Sequence, residues 1–329
     1  MGAPSFAPGT LLMASMLTVL TSAQGLLTAA SKSGGGYAYD FATVPFLAEL
    51  TKLGISWALL TRARRADPGS VRITRDLRHV ALFIVPSIIY MFHNNVQFFF
   101  LKYVDPATYQ ILGNLKIVTT GLLLRLALRR HLSLIQWMAL LLLMAGAATS
   151  QINTDCSKGV VQSVLHAPVM GYVFGVVSAL LSALGAVYTE WVLKKNNDTL
   201  YWQNTLLYGF GSLFNGINLY HSKMQSGGGW DILRGYSPIT WLVVANLAFS
   251  GLLVSWVMKF ADSIVKVYAT SLAMLLTTLV SIAFFSLTPT LQMGLGIVVA
   301  SCSVVLYYVP PATLAAVPEP VAPAGKLPR

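Results

Sequence analysis

Ten stretches of this chain are each about one bilayer long when wound as a helix, and few charged residues interrupt them. They are residues 9–30, 41–60, 80–101, 107–128, 134–152, 169–192, 201–220, 239–257, 264–284 and 290–309. A helix needs roughly 20 apolar residues to cross hydrocarbon. Inside that layer every backbone polar group must be paired within the segment, which helices do unaided. The sequence therefore predicts an all-α polytopic membrane protein with ten transmembrane helices. Composition agrees: 55% of residues are hydrophobic and 10% charged, against roughly 25% charged in soluble domains. The first stretch lacks the basic flank of a cleaved signal peptide and is too long for its core, so it is expected to be a retained helix.

Basic residues orient such an array. Arg62, Arg64, Arg65, Arg72, Arg75 and Arg78 fall between the second and third stretches, and Arg125, Arg129 and Arg130 follow the fourth. Lys194 and Lys195 follow the sixth, Lys259 the eighth, and Lys326 and Arg329 end the tail. That makes fourteen Lys and Arg on one side against five on the other, namely Lys32, Lys102, Lys158, Lys223 and Arg234. The positive-inside rule then places both termini in the cytosol. The net charge of +11 is explained by these loops, which makes the bilayer the expected partner and nucleic acid an unexpected one. The sequon Asn197-Asp198-Thr199 falls on the cytosolic side and should stay unmodified. Cys156 and Cys302 form neither a disulfide framework nor a zinc set. No metal-ligand spacing and no phosphate-binding G-x-x-x-x-G-K-[ST] loop occurs, so no cofactor is expected and ATP-driven transport has no support.

A weak internal repeat suggests the architecture. Leu101-Lys102-Tyr103-Val104-Asp105 matches Met258-Lys259-Phe260-Ala261-Asp262 at an offset of 157, and Gln136 precedes Gln292 by 156. An offset of five spans means that the halves enter the membrane in opposite directions. The expected organisation is a first five-helix half over residues 1–152, a second over 153–309, and a disordered Pro/Ala-rich tail over 310–329. Inverted repeats place a substrate between the halves near the midplane and work by rocking one half against the other.

Polar residues inside the stretches are the candidate site. Lys116 lies in the middle of the fourth, about 14 Å from its start at ~1.5 Å per residue. An ammonium at that depth costs roughly 2.5–3.5 kcal/mol on insertion scales, so it should face a polar cavity, and a fixed positive charge suits an anion. Tyr109 lies seven residues earlier on the same face, with Asn114 nearby but rotated away. In the third stretch Tyr90, Asn94 and Asn95 form a patch; asparagine amides both donate and accept, as a nucleobase edge requires. Glu49 and Lys52 are three apart and could neutralise each other. In the second half Tyr188, Asn204 with Tyr208 at i+4, Ser255 and Lys266 make a comparable set. Glu190 reaches Lys194 at i+4, which reads as a structural pair near the membrane surface. Two cations from opposite halves, with amides and tyrosines, describe a pocket for a phosphate joined to a base. Glu49, Glu190 or His93 could serve a membrane enzyme as acid or base, but no nucleophile–base motif accompanies them.

At these residues the chain resembles the nucleotide-sugar transporters of the Golgi. The likeness runs through Pro86-Ser87-Ile88-Ile89-Tyr90, Asn94-Asn95, Leu101 to Asp105, Tyr109-Gln110 and Leu115-Lys116-Ile117. It continues through Glu49-Leu50-Thr51-Lys52, Val187-Tyr188-Thr189-Glu190 and Lys259-Phe260-Ala261-Asp262 to Ile264, Lys266 and Ser271. The run from Leu193-Lys194-Lys195-Asn196-Asn197-Asp198-Thr199 to Asn204 is most similar to the plant and algal CMP-sialic acid branch. The resemblance implies ten helices, cytosolic termini, and antiport of a CMP-linked acidic sugar against CMP across the Golgi membrane, with no enzymatic step. It further implies that Tyr90, Asn94, Asn95, Tyr109, Tyr188, Asn204 and Tyr208 contact base and ribose. Lys116 and Lys266 would hold the phosphate, with Lys52 a third cation or half of a gate pair. His93 departs from the glutamine of animal members. A UDP-sugar or a phosphorylated metabolite without a base remains the alternative cargo.

Overall fold

The computed structural model describes residues 8–31, 37–40, 42–104, 106–151, 168–195, 197–226, 231–284 and 289–308. The expected tail lies outside them. Among the described residues the chain is all-helical and has no strand. The helices are α1 (Pro8–Ala30), α2 (Thr43–Ala66), α3 (Leu77–Ala81), α4 (Ile84–Tyr103), α5 (Pro106–Gly113), α6 (Leu115–Ala127), α7 (Leu134–Thr149), α8 (Val169–Lys194), α9 (Leu200–Ser226), α10 (Pro238–Phe260), α11 (Ser263–Phe284) and α12 (Leu291–Tyr308).

These elements fall on the ten apolar stretches, with two interruptions. The third stretch opens with the short α3, whose Asp76 side chain accepts from the Arg78 N–H. The fourth is broken at Asn114 into α5 and α6. Among the described residues six helices are long and apolar enough to cross a membrane: α1, α2, α8, α10, α11 and α12. The remaining stretches are interrupted, shorter or diluted by polar residues such as Gln203, Asn204, Asn215 and Asn218 on α9. A polytopic membrane protein follows from this count, fewer in strongly apolar helices than hydrophobic length alone suggests.

Local sequence sets the helix starts. Ser133 accepts from the Gln136 N–H at 3.2 Å while Gln136 Oε1 accepts from the Ser133 N–H at 3.0 Å, a capping box for α7. Thr290 Oγ1 accepts from the Met293 N–H at 3.2 Å and opens α12 in the same manner. Ser237 caps α10 with Thr240 as its reciprocal partner and Pro238 just inside.

Packing is dominated by a few helix pairs: α7 with α12, α2 with α9, α4 with α8, and α1 with both α10 and α11. Contacts of α6 with α8, α2 with α10 and α4 with α9 complete the bundle. The largest apolar core joins α6, α7, α8, α11 and α12 through Ile117, Leu124, Leu140, Leu143, Ile264 and Ala300, all fully buried. The α7–α12 seam is close enough to bring backbones together. A Cβ built at Gly146 would lie 2.8 Å from the Ala300 nitrogen, and one at Gly296 only 2.6 Å from the Gly146 carbonyl oxygen. Glycine is required there because only a missing side chain permits that approach.

The end of the bundle that carries the basic loops is tied across elements. Arg130 Nη1 donates to Asp262 Oδ2 at 2.6 Å. Lys259 Nζ donates to the Leu193 carbonyl at 2.9 Å, the Asp198 carbonyl at 3.0 Å and Gln203 Oε1 at 2.7 Å. Asp198 accepts from Thr74 Oγ1 at 2.9 Å and faces His79 at 3.5 Å. At the opposite end Lys223 pairs with Asp40 at 2.9 Å, and the Thr43 and Tyr236 hydroxyls meet at 2.5 Å.

Candidate functional site

The chain breaks its fourth span beside the residue that most needs a polar surrounding. Asn114 donates its N–H to the Ile111 carbonyl at 3.2 Å and accepts from the Ile117 N–H at 2.9 Å. Both bonds span three residues rather than four, so the backbone is tightened there and α6 starts afresh at Leu115. Lys116 is thus the second residue of a half-helix rather than the middle of a continuous one. The N-terminus of a helix carries unpaired N–H groups and a partial positive charge, which favours anions. Asn114 itself is buried, and its Nδ2 has no acceptor among the described residues.

Lys116 is half-buried and makes no ion pair or side-chain hydrogen bond among the described residues. Its ammonium lies close enough to that of Lys266, from the first turn of α11, for the two charges to oppose each other. Lys266 is likewise half-buried, and its Nζ stands 6.0 Å from the centre of the Tyr90 ring. A weak cation–π contact is within reach at such a distance. Gly185 on α8 admits that ring: a Cβ there would lie 3.2 Å from Tyr90 Cζ. The structure therefore gathers Lys116, Lys266 and Tyr90 from α6, α11 and α4.

A second group adjoins it. Lys52 is 7% exposed, donates to Glu49 Oε1 at 2.5 Å and lies 4.5 Å from the Tyr208 ring centre. Tyr208 donates its hydroxyl to the Gly251 carbonyl at 2.9 Å, with Ser255 and Tyr90 nearby. The site is cut to fit: a Cβ at Gly251 would meet Lys52 Cδ at 2.8 Å, and one at Gly211 would meet Glu49 Oε2 at 2.6 Å. The expected Glu49–Lys52 pair is present, and Tyr208 and Ser255 join it.

The other candidates have neighbours of their own or lie outside the described residues. Tyr109 packs on Phe100 with ring centres 4.8 Å apart, and Tyr188 on Trp191 at 5.2 Å. Asn94 and Asn95 belong to α4, but their side chains are outside the described residues. His93 Nε2 lies 3.5 Å from Ser178 Oγ. Asn204 is 4% exposed and lines a cavity that includes none of the three lysines. Glu190 is wholly engaged: it accepts from the Ser263 N–H at 2.7 Å, Ser263 Oγ at 2.6 Å and Lys194 Nζ at 2.8 Å. The pair with Lys194 was legible from spacing; the tie to Ser263, which joins α8 to the start of α11, was not. Among the described residues no group of three His, Cys, Asp or Glu could hold a metal.

The nucleotide-sugar transporter family model matches residues 10–308 of this chain. A protein named CMP-sialic acid transporter 1 from Arabidopsis thaliana is 55% identical over 312 residues, which cover 93% of this chain and 92% of that protein. The rice (Oryza sativa subsp. japonica) protein of the same name is 51% identical over 94% of this chain and 97% of its own. CMP-sialic acid transporter 4 of Arabidopsis thaliana is 40% identical, covering 88% of this chain and 82% of that protein. A solved crystal structure shares the fold at 15% identity, with a TM-score of 0.68 over 91% of this chain and 96% of that one.

Proposed function

The chain belongs to the nucleotide-sugar transporter family, and on that premise we propose that it exchanges a CMP-linked acidic sugar, CMP-sialic acid or a close chemical relative, for CMP across the Golgi membrane. The observation that carries the reading is the pair Lys116 and Lys266, two ammonium groups near enough to repel, neither with a carboxylate partner among the described residues. Like charges held together in a low-dielectric interior are costly until an anion enters between them. A phosphoryl oxygen supplies that anion and draws charge-assisted hydrogen bonds from both lysines. Tyr90, Tyr109, Tyr188 and the amides of Asn94, Asn95 and Asn204 serve the base and ribose, with Tyr208, Ser255 and Lys52 beside the phosphate and sugar.

Two five-span halves of opposite direction, residues 1–152 and 153–309, supply the alternating access. Several features support that organisation. Helix α4 ends at Tyr103 and α10 at Phe260; α5 begins at Pro106 and α11 at Ser263; α7 begins at Leu134 and α12 at Leu291. Each pair is separated by 157 residues, the offset of the sequence repeat, and so are the caps Ser133 and Thr290. The packing pairs also exchange under a shift of five spans. The α4–α8 contact becomes α10–α1, α1–α11 becomes α8–α6, and α2–α10 becomes α9–α4, while α2–α9 and α7–α12 map onto themselves. By the distribution of Lys and Arg, both termini face the cytosol.

Exchange rather than leak follows from the lysines. An empty cavity keeps their repulsion, and bound nucleotide removes it, so the loaded carrier rearranges faster than the bare one. The test is a thermal-shift panel on detergent-solubilised protein, followed by uptake into liposomes. CMP and CMP-sugars should raise the melting temperature most, by the equivalent of about 2.7 kcal/mol at a hundredfold excess over Kd. Labelled CMP should enter only liposomes preloaded with nucleotide. Stabilisation by sugar phosphates alone, or equal uptake into empty liposomes, would overturn the proposal.

A further inference from the structure

Residues 62–78 leave α2 and lead through α3 toward α4. They carry six arginines, Arg62, Arg64, Arg65, Arg72, Arg75 and Arg78, and no lysine. All six are exposed, and none pairs with a carboxylate among the described residues. Asp67 and Asp76 are the acids of the segment, which leaves four positive charges in excess. Both are turned to backbone: Asp67 Oδ1 accepts from the Gly69 N–H at 3.0 Å, and Asp76 Oδ1 from the Arg78 N–H at 3.2 Å. Other carboxylates of this end are already engaged, Glu190 with Lys194 and Ser263, Asp262 with Arg130, and Asp198 with Thr74 and His79. Residues 309–329 add one acidic side chain, Glu319, against Lys326 and Arg329. A partner for these arginines therefore comes from outside the chain.

The segment is strapped to the bundle. Thr199 donates its N–H to the Arg72 carbonyl at 3.1 Å, and its Oγ1 accepts from the Arg72 N–H at 3.1 Å. The Thr74 carbonyl accepts from Trp202 Nε1 at 3.1 Å. The strap thus runs across the start of α9, a few residues past the end of α2. Arg62, Arg64 and Arg65 close a helix long and apolar enough to cross a membrane, so their guanidinium groups reach the headgroup layer. Trp57 is 53% exposed and lies seven residues before Arg64, hence on the same face of α2. An exposed tryptophan just inside a terminal cation is the pattern of a helix crossing the membrane boundary. Leu77, 82% exposed among the arginines, gives the strap an apolar side chain for that boundary. We propose that residues 62–78 are a docking surface for anionic phospholipids of the leaflet they meet, whose headgroup phosphates engage the unpaired guanidinium groups. A guanidinium presents a planar fork of donors to phosphate oxygens. A zwitterionic headgroup brings its own ammonium and offsets none of the excess charge, whereas an anionic one does. A soluble acidic partner would have to displace headgroups that already surround the end of α2. The surface acts whatever the cargo of the carrier is.

The test titrates the full chain in detergent with phosphatidylserine and with phosphatidylcholine, both carrying the same fluorescent tail. Wild-type protein should bind phosphatidylserine at least about fivefold more tightly, the scale of one arginine near a charged surface. That preference should shrink as salt is raised. A chain with Arg72→Gln, Arg75→Gln and Arg78→Gln together should lose most of the preference. The corresponding Lys set should keep it, which separates charge from a merely structural role. A second set, Arg62→Gln, Arg64→Gln and Arg65→Gln, should show a comparable loss and decides the matter where the first fails to fold. Arg234→Gln, exposed near the opposite end, should change nothing. Equal binding of the two lipids, an unchanged preference in the folded Gln sets, or a comparable loss from Arg234→Gln would overturn the assignment. Equal affinity for soluble glycerophosphoserine would overturn it too, by making the ligand a free anion rather than a lipid.

Discussion

Lys116 shows how far one residue constrains a membrane protein. Its charge in an apolar stretch calls for a polar surrounding, because lipid offers none at that depth. The structure adds what composition could not: the helix is interrupted two residues before it, and a second lysine, from α11, lies near enough to repel it. Replacing Lys116 by Gln should weaken CMP, UMP and GMP alike, by roughly tenfold or more each, the scale of a hydrogen bond to a charged group. Isothermal titration against the three monophosphates checks this, and a change in their ranking would reassign the residue to base recognition. The interruption itself escaped sequence reasoning because Ile111, Leu112, Leu115 and Ile117 continue the apolar pattern on both sides of it. Gly113 and Asn114 were the available signal, residue types common just past the end of a helix. Asn204 was legible only in part. Residue type suggested a base contact, but which of four neighbouring helices it faces is a property of packing, invisible in a single sequence.

At the scale of elements, the α7–α12 seam is the most sharply specified contact. Gly146 and Gly296 are neighbours only because each lacks a side chain, and the atoms a Cβ would strike are backbone atoms, which cannot rotate aside. Gly296→Ala should therefore lower the melting temperature, with a cost of about 1–3 kcal/mol for overpacking. Gly294→Ala, two residues away on α12 with nothing within 4 Å of its Cβ, should leave stability unchanged or raise it by up to ~1 kcal/mol. Paired melting curves in one detergent separate the two. Helix ends are set by local chemistry and helix faces by partners. Ser133, Ser237 and Thr290 carry their own capping chemistry, whereas the small-residue seam needed the fold to give Gly146 a partner 150 positions away.

For the whole molecule, the ties at the basic end are the closure that the proposed exchange must open. Arg130–Asp262 and the Lys259 bonds to Leu193, Asp198 and Gln203 hold the loops of different helix pairs together. Arg130 is over a third exposed, so the pair contributes at most about 1 kcal/mol, and the closure is a sum of such ties. Asp262→Asn should loosen it. A cysteine introduced at position 255, next to Tyr208, should then react severalfold faster with a membrane-impermeant thiol reagent applied from the basic side. Unchanged labelling would show that other contacts keep that side closed. Charge counting foresaw which end carries the basic loops, but most of these residues looked like solvated surface until the fold gave each a named acceptor.

The glycine-lined seam also says where a moving transporter must not bend. Backbones that touch without intervening side chains slide poorly, so in the proposed exchange α7 and α12 are the hinge post around which the remaining helices would swing. A covalent staple set across that post should leave turnover running at nearly its native rate. The same staple placed between the segments bearing Arg130 and Asp262 should freeze the carrier with one door bolted.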